Sequence, residues 1–416
     1  MIKCLDIEIS SICQAGCPVC PRRVKGRFAR GFNQTYWKYD KLIKTVTEKT
    51  AKGLDKLVLC GNLGDPMGNP DIYKIVKWFK DINPNLLVHI STNGGIGKSE
   101  VYSKLADLNV TMVFGIDGYQ TGNELYRIGV EWEQLEENFK AFDTKHKRSI
   151  KEIQYLMWDQ TMEQVKPVVD WARANGGTGI YFKPPWHHFE HTKVYTMKNK
   201  YSHSLTYTES EFKRQISKMN KPKYFRLSKV WALQNDIEYT SLINTIKKYQ
   251  EKAKEVFKAT SDVDQVPIVQ KPYHYNYTTP QWSEHELEQH KKLNKQTCFS
   301  KNFYDHEEIE KSIYNLYITY NGYLMPCCFI PSMYQTYFHG DEELPRVENE
   351  NTDRFNPYVL EINNKLLDLD LESFSLKNKT IQEVLDTGVL HKFTYDSLGL
   401  EDGLKFCKTA CAKSCV

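Results

Sequence analysis

Over residues 1–186 the sequence alternates short apolar or β-branched runs with longer stretches of helical spacing. The runs with strand character are Leu5–Ile9, Lys56–Cys60, Leu86–Thr92, Val110–Ile116, Glu152–Met157 and Gly179–Lys183. The stretches with helical spacing are Tyr39–Lys52, Asp71–Asp81, Lys98–Leu108, Glu131–Lys147 and Thr161–Asn175. Strands that alternate with helices form right-handed β/α units around a parallel sheet. The sequence therefore predicts an α/β fold, a partial (β/α)6 barrel of the TIM type, with its active site in the loops that follow the strands.

The alternation stops after residue 186, which divides the chain into three predicted regions, the first being the barrel at 1–186. Residues 187–296 are basic and rich in tyrosine, and we expect an insertion or linker there. Residues 297–416 are expected to form a C-terminal α+β domain that binds a cluster. Its predicted elements are a hairpin over Ile313–Pro326, turning at Asn321-Gly322, and a helix over Ile381–Phe393.

The composition excludes several classes of protein. The 416 residues have a mean hydropathy of −0.58 and no apolar run of the roughly 20 residues that a membrane helix needs. The start of the chain lacks the basic and then apolar pattern of a signal peptide, so we expect a cytoplasmic protein with no membrane partner. A net charge of +4, from 56 basic and 52 acidic residues, is too small to indicate a nucleic-acid-binding protein. The basic segment His191–Val230 is either a solvated surface or a docking site for an acidic partner.

Eleven cysteines in a chain without an export signal indicate metal or redox chemistry rather than a disulfide framework. Three lie together at Cys13, Cys17 and Cys20, and six follow residue 297. None occurs from Gly61 to Thr297. We interpret the two groups as two separate cysteine sites in two regions of the chain.

The first group has the spacing C-x3-C-x2-C and directly follows the first predicted strand, so it would lie at the active-site rim. Three thiolates on one loop can bind three irons of a [4Fe–4S] cluster, and the fourth iron is then open to a substrate or cofactor. A structural zinc site would need a fourth ligand nearby, and His187 and His188 are far along the chain. Zinc and unrelated buried cysteines are the alternatives.

The cysteine spacing resembles that of the radical S-adenosylmethionine (SAM) enzymes, and further segments fall where that family has its motifs. Cys60–Pro66 is similar to the family's Gly-Glu-Pro motif, with Asp65 in place of the Glu. Ser91–Gly94 is similar to the Thr-Asn-Gly turn, and Gly115–Gly118 to the Ser-Ile-Asp-Gly motif, with Gly115 in place of the Ser. The resemblance implies that Cys13, Cys17 and Cys20 ligate the cluster and that SAM is bound by Gly61, Gly64, Asp65, Pro66, Ser91, Asn93, Asp117 and Arg127.

The resemblance also implies the reaction. One electron from the cluster would cleave SAM to methionine and a 5′-deoxyadenosyl radical, which takes hydrogen from the substrate, and a flavodoxin or ferredoxin would be the reductant. Alternation along the first strand predicts that Cys4, Asp6 and Glu8 face the barrel lumen. Glu8 is therefore the candidate catalytic residue, and a purely structural polar residue is the alternative.

The second cysteine group indicates a further iron–sulfur cluster, with zinc as the alternative. The segment Tyr317–Cys328 resembles the Gly-x4-Cys hairpin of the SPASM and twitch domains, which hold auxiliary clusters in radical SAM enzymes. The C-x3-C-x3-C spacing of the tail departs from that of a full SPASM domain. The resemblance implies one auxiliary [4Fe–4S] cluster, ligated by Cys298, Cys327 and two of the three cysteines Cys407, Cys411 and Cys415.

These features predict a radical SAM oxidoreductase, or modifying enzyme, that abstracts hydrogen from a peptide or small molecule in an oxidative modification. A non-catalytic iron–sulfur electron-transfer or metal-sensing protein is the alternative, although such a protein would not need the SAM-like motifs. The basic segment carries no motif for recognition of nucleic acid.

Overall fold

A computed structural model describes the barrel region of the chain and parts of its C-terminal half. The described residues are 2–17, 20, 22–24, 27–28, 32–145, 147–156, 158–183, 193–195, 204–206, 231–232, 314–326, 371–390 and 393. Most of the predicted linker and of the predicted C-terminal domain therefore lies outside the described residues, so the two boundaries between the three predicted regions stay predictions.

Nine strands of the described part form one sheet. They are β1 (Ile2–Ile7), β4 (Lys56–Leu59), β5 (Leu87–Thr92), β6 (Thr111–Gly115), β7 (Ile150–Leu156), β8 (Gly179–Lys183), β11 (Trp231–Ala232), β12 (Tyr314–Ile318) and β13 (Leu324–Met325). Two short hairpins lie outside this sheet and consist of β2 (Arg23–Val24) with β3 (Arg27–Phe28), and β9 (Lys193–Tyr195) with β10 (Ser204–Thr206).

The six predicted strands are neighbours in the order β8-β7-β6-β5-β4-β1, and every adjacent pair is parallel. Helices connect them as expected for β/α units. The predicted partial α/β barrel is confirmed. The loops after the carboxyl ends of these strands consequently lie at one end of the barrel, where the sequence places its motifs.

Seven helices in the described ranges accompany the strands. They are α1 (Tyr39–Val46), α2 (Glu48–Gly53), α3 (Ile72–Ile82), α4 (Ser99–Ala106), α5 (Trp132–Ala141), α6 (Val165–Ala174) and α7 (Ile381–Asp386). Each amphipathic helix of the barrel buries one apolar stripe, as α3 does with Ile75, Val76 and Phe79. None of the helices in the described part is long and apolar enough to span a bilayer.

The predicted helix over Tyr39–Lys52 is two helices, α1 and α2. The break falls at Thr47, whose φ of 63° cannot continue a right-handed helix. The Thr47 side chain then accepts a hydrogen bond from the backbone N–H of Thr50, which begins α2. Helical spacing runs across both segments and gives no sign of this break.

The predicted hairpin around Asn321-Gly322 exists, but it belongs to the barrel sheet. β12 pairs with β13 in antiparallel fashion, while its other edge pairs in parallel with β1. The turn spans five residues, Thr319–Tyr323, and Gly322 alone has a left-handed φ, of 95°. The alternating pattern of a strand does not indicate which other strand pairs with its edge. The sequence therefore could not show that this hairpin extends the barrel sheet beyond β1.

Candidate cofactor site at the barrel end

The loops after β1, β4, β5 and β6 surround a cavity of about 130 Å³. That volume is similar to an engineered cavity that holds a benzene-sized ligand. Nine residues that the sequence assigns to a cluster or to SAM line it, namely Cys13, Cys17, Cys20, Gly61, Gly64, Asp65, Ser91, Asn93 and Arg127. Pro66 and Asp117 are not part of the lining and lie behind it.

The cysteine loop forms one wall of this cavity. Cys13 and Cys17 are buried and Cys20 is partly exposed. Burial raises the pKa of the Cys13 thiol to about 12 and of the Cys17 thiol to about 11. The side-chain amide of Asn93 donates to Cys13 Sγ at 3.2 Å, which connects the loop after β5 to this wall. Thiols in such a setting become thiolates when a metal binds them, because the metal replaces the proton.

The three thiols suit an iron–sulfur cluster better than a single metal ion. Within the described residues, no three His, Cys, Asp or Glu side chains are placed to bind a single metal ion. A [4Fe–4S] cluster offers a separate iron to each thiolate and is negatively charged when three thiolates bind it. Three separate thiols on a wall that also carries the guanidinium groups of Arg22 and Arg127 fit that group. Cys13, Cys17 and Cys20 are the residues that would hold it.

Asp65 ties the loop after β4 to the loop after β5. One carboxylate oxygen accepts from the backbone N–H of Met67 at 3.0 Å. The other accepts from Thr92 Oγ1 at 3.0 Å and from the backbone N–H of Asn93 at 2.7 Å. Pro66 follows in the first position of a short 3-10 turn that runs to Gly68. Asp65 therefore orders the two loops that line the cavity, besides facing it.

Gly64 is required by a close approach of backbones. A Cβ at this position would lie 2.0 Å from Ser10 O and 2.5 Å from Ser11 Cα, on the segment that leads into the cysteine loop. Real Cβ contacts are not this short, so no other residue fits without movement of one backbone. The glycine allows the loop after β4 to pack directly against the segment before Cys13.

Asp117 and Arg127 form a buried ion pair beside the cavity. Arg127 Nε donates to Asp117 Oδ2 at 2.5 Å, and the Asp117 side chain is fully buried. The other oxygen of Asp117 accepts from the backbone N–H of Leu156 at 2.7 Å. Asp117 thus aims Arg127 into the cavity without lining it. A Cβ at Gly115 would lie 2.7 Å from Arg127 Nη2, so this guanidinium occupies the space next to the glycine that replaces the serine of the SAM-binding motif.

Glu8 is fully buried, and both of its carboxylate oxygens accept hydrogen bonds from this chain. One accepts from the backbone N–H of Leu63, and the other from the hydroxyl of Tyr317 on β12. Burial raises the pKa of Glu8 to about 7, although these bonds and one from the backbone of Gly64 lower it. Glu8 is not among the residues that line the cavity. Its catalytic role stays a prediction, and its contacts favour a role in positioning the loop after β4.

Sequence reasoning missed several residues of this site. Arg22 follows the cysteine motif by two residues and lines the cavity. Gln154, in contrast, is a polar strand residue that the sequence already favours as a candidate, and it lines the cavity from β7. Gln14 exchanges hydrogen bonds with the amide of Asn93. The position of Arg22 beside the motif was the one signal in the sequence that could have identified it. The candidate ligands of an auxiliary cluster lie outside the described residues, namely Cys298, Cys327, Cys407, Cys411 and Cys415.

Comparison with known families gives a match that spans the barrel. Residues 7–176 match the radical SAM superfamily. The matched range contains the three cysteines of the first group, the loops after β4, β5 and β6, and both residues of the Asp117–Arg127 pair. The barrel is therefore similar to the radical SAM superfamily over these residues. No curated protein matches the sequence.

Solved structures of low sequence identity are similar to the chain. Streptococcus suis SuiB bound to S-adenosylmethionine is 14% identical, with a TM-score of 0.44, over 85% of this chain and 65% of that one. The chain thus spans about 65% of the length of SuiB. SuiB bound to its precursor peptide SuiA gives 14% identity and a TM-score of 0.44, over 85% of this chain and 64% of that one. Native anSMEcpe with bound AdoMet and Cp18Cys peptide gives 12% identity and a TM-score of 0.44, over 99% of this chain and 88% of that one.

Proposed function

We propose that this chain is a radical SAM enzyme that binds a [4Fe–4S] cluster through Cys13, Cys17 and Cys20 and cleaves SAM reductively. The observation that carries the proposal is the convergence of three thiols with the glycine, asparagine and arginine residues of three further loops on one cavity. When bound, the cluster and SAM would together supply the radical chemistry that abstracts hydrogen from a substrate. A flavodoxin or ferredoxin is the reductant that we expect, in the reducing environment of the cytoplasm.

The residues of the chain have distinct proposed roles. Gly61 and Gly64 would contact SAM through the backbone of the loop after β4, which packs too closely against neighbouring backbone to allow a side chain at either position. Ser91 contacts SAM from β5 and Asn93 from the loop that follows, and Arg127 presents a positive charge to it. Asp65, Pro66 and Asp117 shape the loops and hold that guanidinium in place.

The proposed substrate is a peptide or a small molecule that undergoes an oxidative modification. The barrel lumen offers polar groups to it, since Tyr181 donates from its hydroxyl to Gln154 Oε1 at 3.1 Å and Gln154 lines the cavity. Burial raises the pKa of Glu152, on the same strand as Gln154, to about 7. An auxiliary [4Fe–4S] cluster in a SPASM- or twitch-like region over 297–416 is part of this proposal, with the C-terminal cysteines as its ligands.

The first test is iron content after anaerobic reconstitution, combined with the formation of 5′-deoxyadenosine from SAM under a low-potential reductant. We expect about eight irons per chain in the wild type, and about four when Cys13, Cys17 and Cys20 are all replaced by Ala. The triple variant should form no 5′-deoxyadenosine. Cys4→Ala is the matched control, because Cys4 lies on β1 and contacts Asp6 rather than the cavity.

The alternatives give different results. Four irons in the wild type and none in the triple variant would retain the enzyme and remove the auxiliary cluster. Iron without 5′-deoxyadenosine, at saturating SAM, would favour a non-catalytic electron-transfer or metal-sensing protein. Zinc in place of iron would overturn the proposal altogether.

A further inference from the structure

Arg22 is a charged residue that the fold buries against the cysteine loop. Its exposed fraction is 2%, so nearly the whole side chain is removed from water. Nη1 donates to the backbone carbonyl of Cys13 at 3.0 Å, and Nη2 donates to that of Ala15 at 2.7 Å. Nε donates to Cys20 Sγ at 3.2 Å. One guanidinium thereby binds the loop that carries the three thiols at three points.

The geometry of these contacts requires an arginine. A guanidinium presents its donors in a rigid plane, and here three of them reach groups at the beginning, middle and end of the loop. A lysine ammonium is a single point of charge on a flexible stem and cannot reach all three groups at once. The conformation of the cysteine loop and the position of the guanidinium are therefore coupled.

The positive charge of Arg22 lies next to the sulfur atoms that would bind the cluster. An arginine guanidinium stays charged in proteins, and this one lies against Cys20 Sγ on the cavity wall that also carries Cys13 and Cys17. A positive charge next to these sulfurs stabilises the reduced cluster more than the oxidised cluster, because the reduced cluster carries one more negative charge. Hydrogen bonds to ligand sulfurs and local net charge are two main determinants of cluster reduction potentials.

We propose that Arg22 is a positioning residue that holds the cysteine loop ready for its iron–sulfur cluster and makes that cluster easier to reduce. The inference rests on the proposed function, because it concerns the cluster that Cys13, Cys17 and Cys20 would bind. Reduction adds one electron, taken from an external reductant, and no proton or bond changes at Arg22. The extra negative charge is stabilised by the guanidinium and by the Nε–H bond to Cys20 Sγ.

The test is a potentiometric titration of reconstituted full-length protein, followed by electron paramagnetic resonance. The signal that disappears in the Cys13/Cys17/Cys20→Ala variant identifies the barrel cluster. Arg22→Gln removes the charge, and we expect its midpoint potential to fall by at least the equivalent of a tenfold change in the reduction equilibrium, about 59 mV for one electron. Arg22→Lys keeps the charge and should retain most of the wild-type potential, with less iron bound because the loop loses two of its three anchors.

The control is Arg173→Gln, which makes the same change of charge on the exposed side of α6 and should leave the potential unchanged. If Arg22→Gln binds no iron, the Arg22→Lys variant decides whether the charge matters. A cluster in Arg22→Lys at the wild-type potential supports the proposal. Failure of both variants to bind iron overturns the role of the charge. An unchanged potential in Arg22→Gln, or equal shifts in both variants, would also overturn it. Absence of the barrel signal in the wild type would instead disprove the proposed function.

Discussion

The hydroxyl of Tyr317 donates a hydrogen bond to the buried carboxylate of Glu8, across the parallel pair of β12 and β1. The two residues are 309 positions apart in the sequence. The other oxygen of the same carboxylate holds the backbone of Leu63 in the loop after β4. A residue of the C-terminal half of the chain therefore supports a loop of the candidate cofactor site through a single acidic side chain.

Tyr317→Phe should lower the free energy of unfolding of the apo-protein by about 1–3 kcal/mol, because a buried carboxylate loses one of its donors. The measurement is urea denaturation at pH 8, where Glu8 is ionised. Tyr323→Phe is the matched control, since its hydroxyl bonds to Glu372 at the surface and its removal should cost less than about 0.5 kcal/mol. Equal losses in the two variants would contradict a special role of the Tyr317 hydroxyl.

Glu8 should make the stability of the apo-protein depend on pH. Burial raises its pKa from 4.5 to about 7 in the folded state, so between these values the folded chain holds a proton that the unfolded chain releases. The free energy of unfolding should therefore fall as the pH rises from 4.5 to 7, by up to about 3 kcal/mol from this residue.

The measurement is the difference between wild type and Glu8→Gln in urea denaturation at pH 5 and at pH 7.5. Burial also raises the pKa of Asp6, to about 6, and of Glu152, so only the difference between the two proteins reports on Glu8. Glu137→Gln, on the exposed face of α5, should keep the wild-type dependence. If the stability of Glu8→Gln depends on pH in the same way as that of the wild type, Glu8 does not titrate in this range.

Gly64→Ala should disrupt the site. The added Cβ would meet backbone atoms of Ser10 and Ser11, which no side-chain rotation can relieve. We expect at least a tenfold loss of SAM affinity in reconstituted protein, measured by equilibrium dialysis. Gly53→Ala is the control, because a Cβ there has Ile2 O at 3.8 Å as its nearest neighbour and alanine suits the end of α2. Tight SAM binding by Gly64→Ala would show that the two loops can move apart at little cost.

Asp117→Asn should cost about 3–5 kcal/mol of stability, because it leaves the Arg127 guanidinium without its charged partner in a buried position. Adding Arg127→Met to this variant should recover most of that loss, since a buried ion pair is often replaceable by apolar groups. The double variant should still fail to bind SAM, because the proposed contact of Arg127 is gone. Thermal unfolding and SAM dialysis on the four proteins of this cycle separate the two effects.

The barrel and the location of the site could be predicted from the sequence because both depend on local patterns. Strand and helix spacing gave the six parallel units, and each motif followed a strand, so topology placed Cys13, Asp65 and Asn93 at one end of the sheet. Glycine positions were also informative, since Gly64 reflects a backbone contact that excludes every other residue.

Long-range partners could not be predicted. Alternation along the first strand predicts that Glu8 faces the lumen but does not reveal Tyr317 as its donor, because strand alternation identifies a face and not a neighbouring strand. Asp117 looked like a cofactor ligand by its motif, and only the fold shows that Arg127 and the backbone of Leu156 occupy its carboxylate. Arg22 was missed because a single arginine after a cysteine motif has no periodicity to mark it.

The parallel pairing of β1 with β12 has a consequence for how the protein is made. Chains fold progressively from the N-terminus as the ribosome extends them. One edge of β1 can pair with β4 early, but the other must wait until residue 318 has been synthesised. During that interval the strand that leads into the cysteine loop has an unpaired edge, and such edges are prone to associate with other chains. Iron loading before β12 has been synthesised would therefore meet an incompletely supported cysteine loop.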